Sequence, residues 1–397
     1  MLLTDRAVRS LVEQTYPFYY TSDARWVSFV SDKTLSLALP VIVYWTASLV
    51  FHAFDVLRPA FTERYRLHPP AEVASRNRVS MQRVIYMVIL QHLIQSAMGI
   101  VFVENTANVG GQRVDVDPQR DIAQWVGVLR VVNAYMRVPD MIVVRAAIAL
   151  YWWGVPWLQF WFSCFLMDAW QYMLHRTMHE VRFLYRLLHS HHHRLYVPYA
   201  FGALYNHPLE GLLLDTLGAE FSRLGSFMTL RQTVVFFTLS TFKTVCDHGG
   251  YAFPWYFNPI HALFPNNAEY HDVHHQIQGL RYNYSQPFFV HFDTLLGTRV
   301  DPSDFRAMLA QRRGKAVEAA AESEAEAEVK SVATSSGISV GEARQRKGGE
   351  ADMLAQNAQV MPFPTPRGSS PYTTASSWSV VLFVGILVVP VLIYSIM

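Results

Sequence analysis

Four apolar stretches, each about as long as a membrane-spanning helix, constrain this sequence more than any other feature. None of them contains an Asp, Glu, Lys or Arg, and they cover Leu35–Phe54, Val84–Val103, Ala146–Met167 and Trp378–Met397. A helix needs about 20 apolar residues to cross the hydrocarbon core, and it satisfies its own backbone hydrogen bonds there. The sequence therefore predicts an all-α integral membrane protein built on a transmembrane helix bundle.

A fifth region, Gly211–Phe242, is apolar only in pieces. Asp215, Glu220, Arg223 and Arg231 interrupt it, and charged side chains are costly inside a bilayer. We expect this region to form a re-entrant hairpin or a pair of helices that lie in the membrane interface.

The charge balance and the cysteine content exclude several classes of protein. The 397 residues include 33 Lys and Arg against 31 Asp and Glu, a net charge of +2, so there is no electrostatic case for nucleic-acid binding. Two cysteines cannot form a disulfide framework or a four-thiolate zinc site. Charged residues are 16% of the chain, below the roughly 25% of soluble domains, which again favours a membrane protein.

The charges of the loops predict the orientation. The loop Asp55–Arg83 has six arginines against three acids, whereas Glu104–Asp140 has four arginines against five acids. Cytoplasmic loops carry an excess of Lys and Arg. We therefore expect the first loop in the cytosol, the second in the lumen, and residues 168–377 in the cytosol or at the membrane interface.

Composition divides the chain into five parts. An N-terminal segment (1–34) precedes the transmembrane helices (35–167), and a histidine-rich region (168–302) should form a helical cap on the cytosolic side. Residues 303–377 contain no histidine, and we expect a disordered linker there in which the alanine/glutamate run 318–328 forms a solvated helix. The linker leads to the last apolar segment, 378–397.

Twelve of the sixteen histidines lie between residues 175 and 275. They form the groups His175/His179, His189/His191/His192/His193 and His271/His274/His275, and His207 and His248 lie between the groups. Residues at i, i+3 and i+4 share one face of a helix, so each group can direct two or three imidazoles at one point. This is too many ligands for one metal and suits two, so the sequence predicts a histidine-rich di-metal site.

Other interpretations fit the spacing less well. A zinc protease motif fails because Phe183 stands where His-Glu-x-x-His needs its second histidine, and the Glu-x-x-His of soluble di-iron bundles does not occur in the sequence. An all-imidazole double site beside a membrane suits iron and O2 chemistry on a lipid substrate. We interpret the remaining single histidines as surface or hydrogen-bonded core residues; they are His52, His68, His92, His261 and His291.

We call the three histidine clusters of the sequence boxes: the first is His175/His179, the second His189–His193 and the third His271–His275. Over about residues 165–300 these boxes resemble the fatty acid hydroxylase superfamily of integral membrane di-iron enzymes. Longer strings resemble the sphinganine C4-hydroxylase branch of that superfamily, and the long tail is similar to its fungal members. The strings are Asp168–Tyr172, His189–Ala203, Leu204–Asp215, Asn266–His271, Tyr282–Phe289 and Phe292–Thr298.

The resemblance implies an enzyme of the endoplasmic reticulum membrane whose catalytic site faces the cytosol. It implies two iron ions, O2, and electrons from NAD(P)H that cytochrome b5 and its reductase deliver. The reaction would hydroxylate carbon 4 of sphinganine or dihydroceramide and give phytosphingosine-type bases. The ligands expected for the two metals are His175, His179, His189, His192, His193, His207, His248, His271, His274 and His275.

Two alternatives stay open. One is a sterol or fatty acyl desaturase or oxidase that uses the same metals. The other is a membrane metal transporter, which should place ionisable ligands inside its spanning segments. The only histidines in the first three apolar stretches are His52 and His92, and this favours the enzyme.

Carboxylates near the boxes are candidates for orienting the ligands, since a metal-binding histidine usually donates its other N–H to a carboxylate or carbonyl. Asp168 lies seven residues before His175, on the same helical face. Within the second box a regular helix would turn His191 away from the metals. Further candidate partners are Asp247, Asp272, Glu210 and Glu269.

Overall fold

The structure of the chain is a computed structural model, and it describes residues 2–23, 25–108 and 117–336. Within these ranges the regular structure is helical and β-pairing is limited to two isolated bridges, which confirms the all-α prediction. The α-helices are α1 Asp5–Gln14, α2 Asp32–Leu57, α3 Ala60–Glu63, α4 Pro70–Arg76, α5 Met81–Asn108, α6 Pro118–Met136, α7 Asp140–Ala149, α8 Val155–Glu180, α9 Arg182–Leu184, α10 Pro208–Gly211, α11 Leu217–Gly225, α12 Leu230–Asp247, α13 Ile260–Leu263, α14 Ala268–His275, α15 His291–Leu295 and α16 Pro302–Ser336. Turns of π-helix cover Leu150–Gly154, Tyr185–His189 and Leu212–Thr216, and 3-10 turns cover His192–Arg194, Ala200–Leu204 and Ile277–Gly279.

Three helices are long and apolar enough to cross a membrane. They are α2, the part of α5 from Met81 to Phe102, and the continuous helix Asp140–Glu180 in which α7 and α8 join through a π turn. α2, the whole of α5 and the helix Asp140–Glu180 each contain one of the uncharged stretches, so the prediction of helices that could span a membrane is confirmed for three of the four. The fourth stretch, residues 378–397, lies outside the described residues.

The helix Asp140–Glu180 determines where the first histidines lie. Its 41 residues span roughly 60 Å at 1.5 Å per residue, about twice the thickness of the hydrocarbon core. Its uncharged stretch ends at Met167, so the last three turns extend beyond the apolar part. His175 and His179 lie in these turns.

The main core lies between the membrane-spanning helices and the segments that carry the site. Helix α12 packs along α2, and α11 packs along α8. Tyr44 of α2 is fully buried and donates its hydroxyl to the carbonyl of Phe201 at 2.7 Å. This bond connects a spanning helix to the 3-10 turn that leads into the site.

The region Gly211–Phe242 forms α11 and most of α12. Three of its four charged side chains form ion pairs: Arg223 pairs with Glu220, and Arg231 contacts Asp32 of α2 at 2.9 Å. These pairs explain how a segment with charged residues packs against the apolar helices α2 and α8. Neither α11 nor α12 belongs to the three candidate spans.

The described residues divide into two compact units after Val300. Within the first unit, a second and smaller core joins α1, α6 and α7 through Val12, Ile122, Val144 and Trp152.

The second unit begins with α16, which covers the alanine/glutamate run. The solvated helix expected over 318–328 is therefore confirmed, and the expected disorder on either side of it is corrected for 303–317 and 329–336, where the same helix continues. Ala, Glu, Lys and Arg are frequent in this stretch and are strong helix formers. Residues 337–377 of the predicted linker lie outside the described residues.

Candidate metal centre

Nine histidines converge in two groups near the ends of α8, α12 and α14. Within each group the nitrogen atoms that could bind a metal lie within 4.8 Å of one another. The first group is His175, His179, His189, His193 and His274, and the second is His192, His248, His271 and His275. The structure therefore brings together all but one of the histidines expected as ligands, and the exception is His207.

Helix geometry explains how the first and third boxes contribute. His175 and His179 are one turn apart in α8 and share a face that enters the first group. In α14, His271 and His275 are also one turn apart and enter the second group, while His274 points to the first. The short helix α14 thus lies between the two groups and supplies both.

The second box is not a regular α-helix. A π turn ends at His189, and a 3-10 turn follows from His192. This backbone directs His189 and His193 to the first group and His192 to the second. His191 lies outside both groups, and its Nδ1 contacts the carbonyl of Leu188 at 3.2 Å. The expected position of His191 agrees with the structure, but the regular helix on which that expectation rested was wrong.

Six of the nine histidines place Nδ1 against an acceptor. The pairs are His175 with the carbonyl of Tyr284, His189 with the carboxylate of Glu210, His192 with the carbonyl of Tyr205, His248 with that of Thr244, His274 with that of Tyr282 and His275 with that of Leu195. An imidazole that donates from Nδ1 keeps an unprotonated Nε2. These contacts therefore select the tautomer in which Nε2 is available to bind a metal.

The Nε2 atoms face one another at short distances. Neighbouring Nε2 atoms are 3.0–3.1 Å apart in the first group and 3.0–3.5 Å apart in the second. Lone pairs at these distances repel unless a cation lies between them. Two ligands at right angles, each about 2.1 Å from one ion, are about 3.0 Å apart, so the spacing fits metal coordination. Nε2 of His274 is buried without a hydrogen-bond partner, and a bound metal would satisfy it.

Burial keeps these imidazoles in the form that binds metals. Loss of solvation lowers the pKa of His192 to about 4 and the pKa values of His248 and His274 to about 3. The neutral imidazole is the form that coordinates a cation. The same cause, with added repulsion from neighbouring imidazoles, lowers the pKa values of four more members well below the usual range; these are His189, His193, His271 and His275.

Glu210 is the candidate carboxylate that contacts a histidine of these groups. It is fully buried, and burial raises its pKa to about 8. It accepts from Nδ1 of His189 and from the backbone N–H of His207. His207 is the N-cap residue of α10, and its Nδ1 accepts from the N–H of Leu209 at 3.2 Å. His207 therefore shapes the turn that positions Glu210 and lies in neither group.

Asp168 contacts the backbone of a loop and none of the nine histidines. Its buried carboxylate accepts the N–H groups of Phe288 and Phe289 at 3.0 and 2.6 Å. Gln286 and Pro287, just before them, line the cavity described below. Asp168 thus holds one wall of the site in place.

Asp247 and Asp272 lie beside metal-site histidines in sequence but contact other groups. Asp247 accepts from Nζ of the buried Lys243 at 2.6 Å and lies 3.2 Å from Nε2 of His261. Asp272 lies 2.9 Å from Nε2 of His68. Glu269, the fifth candidate, lies in the first turn of α14. His68 and His261, which we interpreted as surface or hydrogen-bonded core residues, thus partner two acids that are adjacent in sequence to metal-site histidines.

Asp293 is a candidate positioning residue that sequence reasoning missed. It accepts from the N–H groups of Tyr284 and Ser285 at 3.0 and 2.7 Å and from the hydroxyl of Tyr270 at 2.8 Å. It therefore fixes the segment whose carbonyls orient two histidines. Its place in the string Phe292–Thr298 is the signal that could have identified it.

A small cavity of about 30 Å³ lies against both groups. That space suits one or two molecules of the size of water. Its wall combines imidazoles with amides and carboxylates and includes His189, His192, His248, His271, Gln171, Asn206, Glu210, Asp215, Asp247 and Gln286.

Comparison with known proteins places the chain in a family. The family model described as fatty acid hydroxylase matches residues 160–298, a range that contains all nine histidines. A sphingolipid C4-hydroxylase from Schizosaccharomyces pombe is 43% identical over 271 residues, which are 68% of this chain and 89% of that protein. The chain belongs to the fatty acid hydroxylase family.

Two plant relatives have a similar degree of identity. A sphinganine C4-monooxygenase from Arabidopsis thaliana is 42% identical over 68% of this chain and 88% of its own length. A protein from Oryza sativa named very-long-chain aldehyde decarbonylase is 42% identical over 69% of this chain and 92% of its own length. No solved structure matches the chain. Family membership and the histidine groups together indicate a metal-dependent oxygenase with membrane-spanning helices.

Proposed function

We propose that this chain is a membrane di-iron monooxygenase that hydroxylates carbon 4 of sphinganine or dihydroceramide. One observation carries the proposal: the two groups of converging, neutral histidines lie in a chain that is 43% identical to a sphingolipid C4-hydroxylase. The products would be phytosphingosine-type long-chain bases.

The five histidines of the first group would hold one iron and the four of the second group the other. Bound iron supplies the activation of O2 that oxidation of an unactivated methylene requires. The protein contributes orientation. Glu210 and five backbone carbonyls hold imidazoles by Nδ1, while Asp168 and Asp293 fix the segments behind them. The buried wall of the cavity limits the water that reaches the metals.

The packing of the arginine-rich loop supports a cytosolic site. Arg76 donates to Oε1 of Gln276 at 2.6 Å, and His68 contacts Asp272 of α14 at 2.9 Å. The loop Asp55–Arg83 therefore packs against the metal centre. Because the excess of arginine places this loop in the cytosol, we place the centre on the cytosolic face of the endoplasmic reticulum membrane.

The electrons would come from a separate protein. The sequence has no glycine-rich dinucleotide fingerprint following a strand, so NAD(P)H is expected to act through its reductase and cytochrome b5. A cytosolic centre is accessible to both.

The rice relative gives a second candidate function, because its name refers to an aldehyde decarbonylase and its identity is 42%. The two functions differ in product. A decarbonylase releases an alkane that is one carbon shorter than its substrate, whereas the proposed enzyme keeps every carbon and adds one hydroxyl.

Lipid analysis of cells that lack long-chain base hydroxylation tests the proposal. Expression of the wild-type chain should restore 4-hydroxy long-chain bases, and expression of the His271→Ala variant at equal level should not. A new double bond without a hydroxyl would favour a desaturase. Accumulation of alkanes would favour the decarbonylase.

A further inference from the structure

Hydroxylation at carbon 4 brings the amine of a sphingoid base close to the metals, and the inference that follows rests on the proposed function. The nitrogen on carbon 2 is separated from carbon 4 by three bonds of about 1.5 Å each, so the two atoms lie within about 4 Å. The residue that recognises the amine must therefore line the same cavity as the metal-site histidines.

Two of the three carboxylates that line the cavity already have basic partners. Glu210 accepts from Nδ1 of His189. Asp247 accepts from Nζ of Lys243 at 2.6 Å. Neither carboxylate is therefore available to a substrate cation without the loss of an existing contact.

Asp215 is the third carboxylate of the cavity wall, and its hydrogen bonds come from amides. Nδ2 of Asn206 lies 3.1 Å from one carboxylate oxygen, and Nε2 of Gln171 lies 3.4 Å from the other. Its oxygens are in neither group of converging metal ligands. Charges in enclosed sites are normally paired, and among the described residues the half-buried Asp215 has no basic partner.

The surroundings of Asp215 hold it in place. It lies in the π turn Leu212–Thr216, and Gln171 also contacts the carbonyl of Leu214 at 3.5 Å. Burial raises the pKa of Asp215 to about 7. A cation bound in the cavity would offset the cost of burying the charged carboxylate.

We propose that Asp215, with its carboxylate oriented by Asn206 and Gln171, binds the ammonium group of a free long-chain base. An N-acylated base presents a neutral amide in place of that cation. It would leave the carboxylate without a counter-charge. The structure thus favours free sphinganine over dihydroceramide as the substrate.

The test compares sphinganine with N-acetylsphinganine, which has the same carbon chain and no positive charge. For the purified wild-type protein reconstituted with its electron donors, we expect kcat/KM to be at least about 10-fold higher for sphinganine, the effect of one charged hydrogen bond. The Asp215→Asn variant should raise KM for sphinganine by about 10-fold or more with a small change in kcat. It should leave the kinetics for N-acetylsphinganine unchanged.

Two controls separate recognition from structure. Iron content should be equal in the wild type and in Asp215→Asn, and Asp304→Asn, which alters an exposed carboxylate of α16, should behave as the wild type for both substrates. If Asp215→Asn fails to fold, the wild-type comparison of substrates still tests the proposal, because equal efficiency with both substrates would overturn it.

Each outcome points to one conclusion. Equal efficiency with both substrates in the wild type, or a parallel loss for both in Asp215→Asn, would overturn the assignment of Asp215. If the iron-loaded wild type gives no 4-hydroxy product from either substrate, the proposed function itself fails.

Discussion

Main-chain carbonyls accept most of the Nδ1 contacts that orient the histidines. Five of the six Nδ1 contacts go to carbonyls, such as those of Tyr284 and Leu195, and Glu210 supplies the sixth. A carbonyl cannot be protonated, so an Nδ1–H bonded to it keeps the same tautomer over a wide range of pH. The backbone therefore orients most of the ligands. A substitution of one ligand should then remove that ligand alone, and a substitution of a nearby histidine that is not a ligand should leave the others in place.

His193 and His191 form a matched pair for this purpose. Replacement of His193 by Ala removes an imidazole from the first group, so we expect loss of iron and a fall in turnover of more than about 100-fold, beyond the usual effect of an outer partner. His191→Ala removes a half-buried ring that lies outside both groups and should keep iron and most activity. Iron per polypeptide and product formation at equal expression measure both effects. Equal losses would contradict the assignment of the groups.

Glu210 and His207 form a second pair. Glu210→Gln removes the carboxyl group that accepts from Nδ1 of His189, and we expect metal affinity or activity to fall by roughly 10–100-fold. His207→Ala removes the cap of α10 and should cost about 0.5–2 kcal/mol of stability while iron binding persists. Chelator titration followed by iron analysis compares the two. If His207→Ala loses iron and Glu210→Gln retains it, the assignment of Glu210 as the partner of a ligand and of His207 as a helix cap would be wrong.

At the scale of elements, the site depends on loops that a few buried acids attach to helices. Asp168 connects α8 to the segment 286–289, and Asp293 connects α15 to the segment 282–285. Both acids accept backbone N–H groups that would otherwise be buried without partners. The rigidity of the cavity walls therefore depends on these hydrogen bonds.

We expect Asp168→Asn to weaken this attachment. An amide accepts less strongly than a carboxylate, and hydrogen bonds to charged groups are worth about 1.5–3 kcal/mol. The variant should aggregate at a lower temperature in detergent, and Asp304→Asn should aggregate at the wild-type temperature. An unchanged temperature for Asp168→Asn would show that the loop is held by other contacts.

The sequence indicated the elements better than it indicated their irregularities. Uncharged stretches identified three spanning helices, and the i, i+4 spacing of His175 and His179 identified one face. The π and 3-10 turns around His189 were not predictable, because tertiary contacts rather than local propensity stabilise such turns. The hydrogen-bond partners of the metal-site histidines were not predictable either. Every residue has a carbonyl, and only the folded chain selects Tyr284 for His175.

At the scale of the whole molecule, the arginine-rich loop and the metal centre lie on one side of the spanning helices. Arg76 and His68 contact the end and the middle of α14. The metal centre should therefore lie on the same side of the membrane as this loop. Asn283, a formal glycosylation acceptor, is fully buried and donates to the carbonyls of Tyr270 and Val300 at 3.1 and 2.9 Å.

Introduced glycosylation acceptors test this orientation. An acceptor placed in the segment 104–140 should be glycosylated because we expect that segment in the lumen, and one placed in the segment 55–83 should not. Asn283 should stay unmodified, and Asn283→Gln should leave the mobility of the protein unchanged. A glycosidase-sensitive shift from the acceptor in 55–83 would place the metal centre in the lumen.

The source of the new oxygen atom tests the central claim most directly. Iron-loaded protein, reconstituted with NAD(P)H, its reductase and cytochrome b5, is supplied with sphinganine under ¹⁸O2 in ordinary water, and the product is analysed by mass spectrometry. A di-iron monooxygenase acting at carbon 4 should give a product with one ¹⁸O atom, located at carbon 4. A product whose oxygen comes from water, a dehydrogenated product without new oxygen, or a hydroxyl at another carbon would contradict the account.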